Sequence, residues 1–159
     1  MSSPISLLLT AIDQAYDRKS WHGTNLRGSI RGVSPEQAAW RPHPSRHNIH
    51  ELVVHAAYWK YAAWRRLSGS RRGSFPLKGS NFFSREKADA AQWKEDVALL
   101  GEMHRQLRAT ISALPAATLP KPLPNSDLTH VALITGIAAH DLYHAGQVQL
   151  IKALRRVAE

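Results

Sequence analysis

Apolar positions recur along this chain at spacings of three and four, and that spacing predicts helices. Ile5, Leu8, Leu9, Ile12, Ala15 and Tyr16 form the first stripe, opened by Ser2-Ser3-Pro4 as a cap with proline in the first turn. Leu26 and Ile30 continue in phase, although Gly23 interrupts the pattern. Ser34-Pro35-Glu36-Gln37 starts a short turn of helix that Pro42 and Pro44 end. The second helix runs from Asn48, with Glu51 three residues on as a capping-box variant, to Gly69. Its stripe is Ile49, Leu52, Val53, Ala56, Trp59, Ala63 and Leu67. The third spans roughly Ala90 to Leu114, with Trp93, Val97, Leu100, Leu107, Ile111 and Leu114 in phase. Pro115, Pro120, Pro122 and Pro124 then forbid helix until Ser126 or Asp127, the expected cap of a fourth helix reaching about Val157.

No strand alternation persists and no internal repeat is present. Four long amphipathic helices with two long connections predict an all-α fold, a four-helix bundle with crossovers. The stretch from Ser68 to about Asp89 is rich in Gly, Ser and Arg and carries Phe75, Phe82 and Phe83. A connection of that length is uncommon inside a compact domain, and its aromatics imply that it packs as a crossover or lid. The aromatic residues Trp21, Trp59, Trp64 and Trp93 are expected first of all in the core.

At 159 residues and 43% hydrophobic, the chain suits a single domain over residues 1–159. Twenty-one Lys and Arg against 12 Asp and Glu give a net charge of +9. The basic residues are scattered, which describes a solvated surface better than a nucleic-acid arm. Zero Cys removes disulfides, thiolate catalysis and thiolate-held zinc, so a metal here needs N and O ligands. There is no transmembrane run. Residues 5–9 lack a basic start and soon meet Asp13, so no signal peptide is predicted and the cytoplasm is the expected compartment.

The chemistry-bearing candidates are histidines. His140 and His144 lie four apart in the last helix, one above the other on the same face, where two imidazoles can converge on one divalent ion. With 9 His in the chain, the spacing alone is a weak signal. Its context strengthens it: the pair continues the stripe Leu133, Ile137, Val148 and Ile151, and each buried ring needs partners for its nitrogens. His55 sits at the edge of the second helix's apolar face. As a third ligand it completes a set that leaves coordination positions open. His22 and His104 fall in register with Leu26 and with Leu100 and Leu107, as outer-shell or proton-carrying candidates, although a core histidine bonded to backbone explains each as well. His43, His47, His50 and His130 read as local or surface residues. Trp59, one turn after His55, can wall a pocket beside the cluster.

Three segments carry a family likeness: Trp40-Arg41-Pro42, the run from His47 to His55, and His140-Asp141-Leu142-Tyr143-His144-Ala145-Gly146-Gln147. The chain resembles the DinB-like superfamily of small metal-binding four-helix bundles over nearly its whole length. That resemblance implies one metal-binding histidine in the second helix and two in the last, filled here by His55, His140 and His144, with nickel or zinc as the ion. It implies a homodimer. It also implies a small-molecule substrate, because characterised relatives include transferases and an isomerase that use low-molecular-weight thiols such as bacillithiol, mycothiol or glutathione. It does not imply DNA binding.

The leading expectation is therefore a metal-dependent thiol transferase or hydrolase. Arg71 and Arg72, with Arg65 and Lys78, are candidates to bind the carboxylates of a thiol co-substrate. A non-catalytic metal-binding protein that senses, stores or stabilises shares the same ligands. Nucleic-acid binding, suggested only by the charge, ranks last because no reader motif accompanies it. Leu150 and Leu154 fall outside the main stripe and leave room for a partner.

Overall fold

A computed structural model describes residues 3–158. Six α-helices follow in order: α1 (Pro4–Tyr16), α2 (Leu26–Ser29), α3 (Pro35–Ala39), α4 (Ile49–Ser68), α5 (Ala90–Ser112) and α6 (His130–Ala158). Among the described residues there is no strand, only one bridge between Pro122 and Thr129. The all-α expectation holds. Among the described residues no helix is long and apolar enough to cross a membrane.

Local chemistry sets the helix ends. Ser3 caps α1 by accepting from the Ser6 N–H; Ser2, the other residue expected there, lies outside the described residues. Ser34 and Gln37 close a reciprocal capping box on α3. Asn48 caps α4 through the Glu51 N–H, and Gly69 ends it in the left-handed conformation at φ 71°. Two boundaries differ from expectation. α1 stops at Tyr16, and the chain turns through Gly23 at φ 96° before α2, so Leu26 belongs to a separate short helix. Trp21 is therefore fully exposed at 101%, contrary to its expected place in the core. α6 starts at His130 because the Leu123 N–H donates to the Leu128 carbonyl, holding 122–129 as a turn. The Thr129 hydroxyl then accepts from the Ala132 N–H, a cap three residues after Ser126.

Helix direction follows from side-chain pairs. His50 meets Asp96 and Lys60 meets His104, so α4 and α5 run parallel. His55 meets His144 and Lys60 meets Asp141, so α4 and α6 are antiparallel. Asp13 meets Arg108 and Tyr16 stacks on His104, so α1 opposes α5. Because α4 and α5 are parallel, the 69–89 segment has to return along the bundle, which is the expected crossover. Tyr61 tethers it: its hydroxyl accepts from the N–H groups of Gly73 and Ser74.

The core has two parts. One gathers Ile49, Leu52, Val53, Trp93, Leu100, Val148 and Ile151, the other Ile12, Leu67, Leu107, Ile111, Ile134 and Ile137. At the seam lies a buried polar layer to which each long helix contributes one residue: Tyr16, Lys60, His104 and Asp141. Lys60 Nζ donates to Asp141 Oδ2 at 2.5 Å, approaches His104 Nδ1 at 3.4 Å, and sits 4.9 Å from the centre of the Tyr16 ring. Burial pushes the Asp141 carboxyl above the usual carboxylate range, and the Lys60 ammonium opposes that push.

Candidate metal centre

His55 is carried on α4, four residues beyond Glu51, and His140 and His144 are carried on α6 one turn apart. Antiparallel packing of the two helices brings their rings together. His140 Nε2 lies 3.2 Å from His55 Nε2 and 3.1 Å from His144 Nε2. Ligand nitrogens about 2.1 Å from a common ion, at angles of 90–109°, would stand about 3.0–3.4 Å apart, so both distances are compatible with one shared ion.

The outer nitrogens fix the tautomers. His55 Nδ1 lies 2.9 Å from the Asn81 carbonyl oxygen, which can only accept, so Nδ1–H donates and Nε2 keeps its lone pair. His144 Nδ1 donates likewise to Gln147 Oε1 at 2.6 Å, leaving its Nε2 free. Two lone pairs thus point at His140 Nε2, an arrangement that wants a cation or a proton between them. His140 Nδ1 is buried without a hydrogen-bond partner. All three rings are held neutral at pH 7. Burial is the main cause, pushing His55 to about 4 and His140 to about 3, with mutual repulsion adding to it; burial also lowers His144. Neutral imidazole is the form that binds metal. The three form a group that could hold an ion, and imidazole donors suit zinc, nickel, copper and iron alike.

The crossover roofs this cluster. Asn81 takes φ 66°, a left-handed conformation that Asn tolerates better than most residues, and this aims its carbonyl at His55. Its side-chain oxygen accepts from Trp59 Nε1 at 3.0 Å. Phe82 lies between two imidazoles, stacked at 4.0 Å on His55 and 3.6 Å on His47. The end of the roof is pinned by charge. Glu51 accepts two bonds from Arg41, at 3.0 and 2.6 Å, one from His47 Nδ1 and one from the Arg85 N–H. Burial alone would raise the Glu51 carboxyl, but these donors outweigh it and pull it down to about 2. Asp96 on α5 accepts from both Arg85 and His50.

Beside the histidines opens a cavity of about 850 Å³, walled by Trp59, Phe82, Tyr143, Leu150, Ile151 and Leu154. Its other polar groups are Arg46, His47, Asn81 and Gln147, and among the described residues no carboxylate lines it.

The expected residues divide. His55, His140, His144 and Trp59 come together here. His104 is buried behind them in the polar layer, stacked on Tyr16 at 3.8 Å. His22 lies in the exposed turn before α2 and takes no part in the cluster. Arg71 and Arg72 are exposed on the crossover outside this cavity, and Arg72 lines two others. His50, expected as a local or surface residue, is instead 1% exposed, because Asp96 satisfies its Nε2. His47, expected likewise as a local or surface residue, lines the cavity. Gln147 was legible as a contact of His144, three residues along the same helical face; Asn81 and Arg46 carry no such signal.

A family model described as the DinB superfamily matches residues 19–148. No curated protein and no solved structure matches the chain.

Proposed function

The chain belongs to the DinB superfamily, and from that premise we propose that it is a metal-dependent enzyme whose ion, Zn²⁺ or Ni²⁺, is held by His55, His140 and His144. The supporting observation is the convergence of three neutral Nε2 atoms beside a large cavity, two of them fixed as acceptors by the bonds at their Nδ1 atoms. Such an ion, when bound, lowers the pKa of a ligated water or thiol toward neutrality and so supplies a nucleophile. The reaction is transfer of a low-molecular-weight thiol to a small electrophile, with hydrolysis as the related alternative.

The protein's own residues do the rest. Asn81 and Gln147 orient the ligand rings. Trp59, Phe82 and Tyr143 shield the ion from bulk water and offer apolar surface to the substrate. Arg46, at the cavity wall, meets negative charge on an incoming molecule. A second copy of the chain is the partner proposed for the exposed α6 stripe of Tyr143, Leu150, Leu154 and Val157, and the cytoplasm is the proposed compartment. The same three ligands would also serve one other use, a protein that stores or senses the ion.

Elemental analysis of tag-free protein tests the site. About one ion per chain is expected in the wild type, lost in both His55→Ala and His140→Ala. Wild type that stays metal-free after incubation with zinc and nickel refutes it. Turnover is then tested by screening the loaded protein with several thiols and electrophiles. No rate above that of the free ion sinks the transferase reading and leaves storage or sensing.

A further inference from the structure

The metal cavity has one arginine at its wall, Arg46, whereas three others are gathered elsewhere. Arg65 and Arg66 stand in the last turn of α4, where cations favour the helix dipole, so their position alone needs no ligand. Arg72 is different: the crossover brings it to the same spot. Together the three line a cavity of about 400 Å³ with Ser70 and Ser126, and among the described residues no carboxylate lines it. Among the described residues no ion pair engages these three guanidinium groups.

Shared lining residues relate this cavity to the histidines. A groove of about 230 Å³ runs between α4 and α6, with Arg66 at one end and Trp59 and His140 at the other. Ala62, Ala63 and Gly136 keep it open, and a Cβ added to Gly136 would meet nothing within 4 Å. Trp59 and Arg66 are two helical turns apart, so the groove is about 10 Å long. Its walls are mainly apolar, and its charged end is positive.

Resting on the metal-site reading above, we infer that Arg65, Arg66 and Arg72 bind a compact oxyanion, carboxylate or phosphate, forming the charged tail of the substrate whose reactive group lies at the three histidines. The substrate is thus an elongated amphiphile with a thiol or electrophile at one end and an anion about 10 Å away. Binding energy from such a remote tail positions the reacting end. Arg66 serves both cavities and is the residue through which the tail would be read.

Two titrations test this. The first needs no metal: pyrophosphate is added to the metal-free protein and followed by amide NMR shifts. Saturable shifts at Ser70 and Ser126, weakened about tenfold or more in Arg66→Ala/Arg72→Ala, are expected. No saturable shift, or one indifferent to those substitutions, overturns the inference while leaving the metal site standing. An oligonucleotide that binds this face more tightly than pyrophosphate, with affinity falling steeply in salt, also overturns it.

The second titrates zinc-loaded protein with ω-mercaptoalkanoates of increasing length. Affinity should peak where the chain spans the groove. The peak should vanish in Arg66→Ala/Arg72→Ala, and in Gly136→Leu, which fills the groove without touching either end. A smooth rise with length that is the same in all three proteins means that the tail only partitions onto apolar wall, and refutes the link. Should wild type bind pyrophosphate as expected yet take up no zinc, the metal reading fails and the anion site survives it.

Discussion

Replacing Lys60 by Met should be among the most destabilising single changes in this chain. Met matches the lysine stem in length, so little packing is lost, but it leaves Asp141 as a carboxylate with no exposed surface and no cation. Asp141 Oδ1 already lacks a hydrogen bond, so the new environment offers no relief. The carboxyl can escape an unpaired charge by taking up a proton. At pH 7 that costs an ordinary aspartate about 4 kcal/mol, which caps the penalty. Breaking a buried pair by removing one partner typically costs about 3–5 kcal/mol, in agreement. The expected loss is therefore about 3–4 kcal/mol, a large share of the ~5–15 kcal/mol that stabilises an average domain. Lys60→Met/Asp141→Leu removes both charges and should return to within about 1 kcal/mol of wild type or exceed it. Urea unfolding of the three proteins in EDTA measures both values without contribution from bound metal. A single variant within about 1 kcal/mol of wild type, or a double variant no better than the single, would show that the pair is not an ion pair isolated in a dry seam.

Three further outcomes follow from the site and its surface. Gln147→Leu removes the acceptor that holds His144 Nδ1 and should weaken zinc binding about 10- to 100-fold with the fold intact; unchanged affinity in a competition assay with a chelator would contradict that role. Glu51 has its carboxyl lowered from 4.5 to about 2, so the stability it confers is complete above pH 4.5 and is lost as pH falls toward 2. In urea titrations, wild type should therefore exceed Glu51→Gln in stability at pH 6, with the gap closing by pH 2; a gap that widens on acidification would reverse the sign of the linkage. Leu154→Glu/Val157→Glu should convert a dimer to monomers in sedimentation, and a wild type already monomeric at high concentration removes the proposed α6 interface.

Much of the fold was written in apolar periodicity, because long amphipathic helices repeat the same signal many times. α4 and α5 begin and end within a residue or two of their expected bounds, where caps and Gly69 speak locally. α6 began later than Ser126 because a backbone turn closed by Leu123 and Leu128 has no side-chain signature. Trp21 and His22 depart from expectation for one reason: apolar phase continues to Leu26 and Ile30, but the chain turns at Gly23. The three clustered histidines were legible through spacing and family likeness. The polar layer leaves a fainter trace: Lys60 falls in phase with Val53, Ala56 and Ala63, and Asp141 with Ile137 and Val148. A charge in phase with a core stripe is a readable sign of a buried partner. The oxygen that orients His55 was unreadable, since it belongs to the backbone of Asn81 in a segment without periodicity.

The parallel course of α4 and α5 has a consequence for how short this protein could become. A 20-residue helix is about 30 Å long, and an extended chain covers that distance in roughly nine residues. The 69–89 segment has more than twice that length, so its connecting duty leaves chain to spare. The surplus is what allows it to fold back and lay Asn81 and Phe82 over His55. A trimmed descendant with a minimal link could retain all six helices and all three histidines, yet its cluster would lie bare to water.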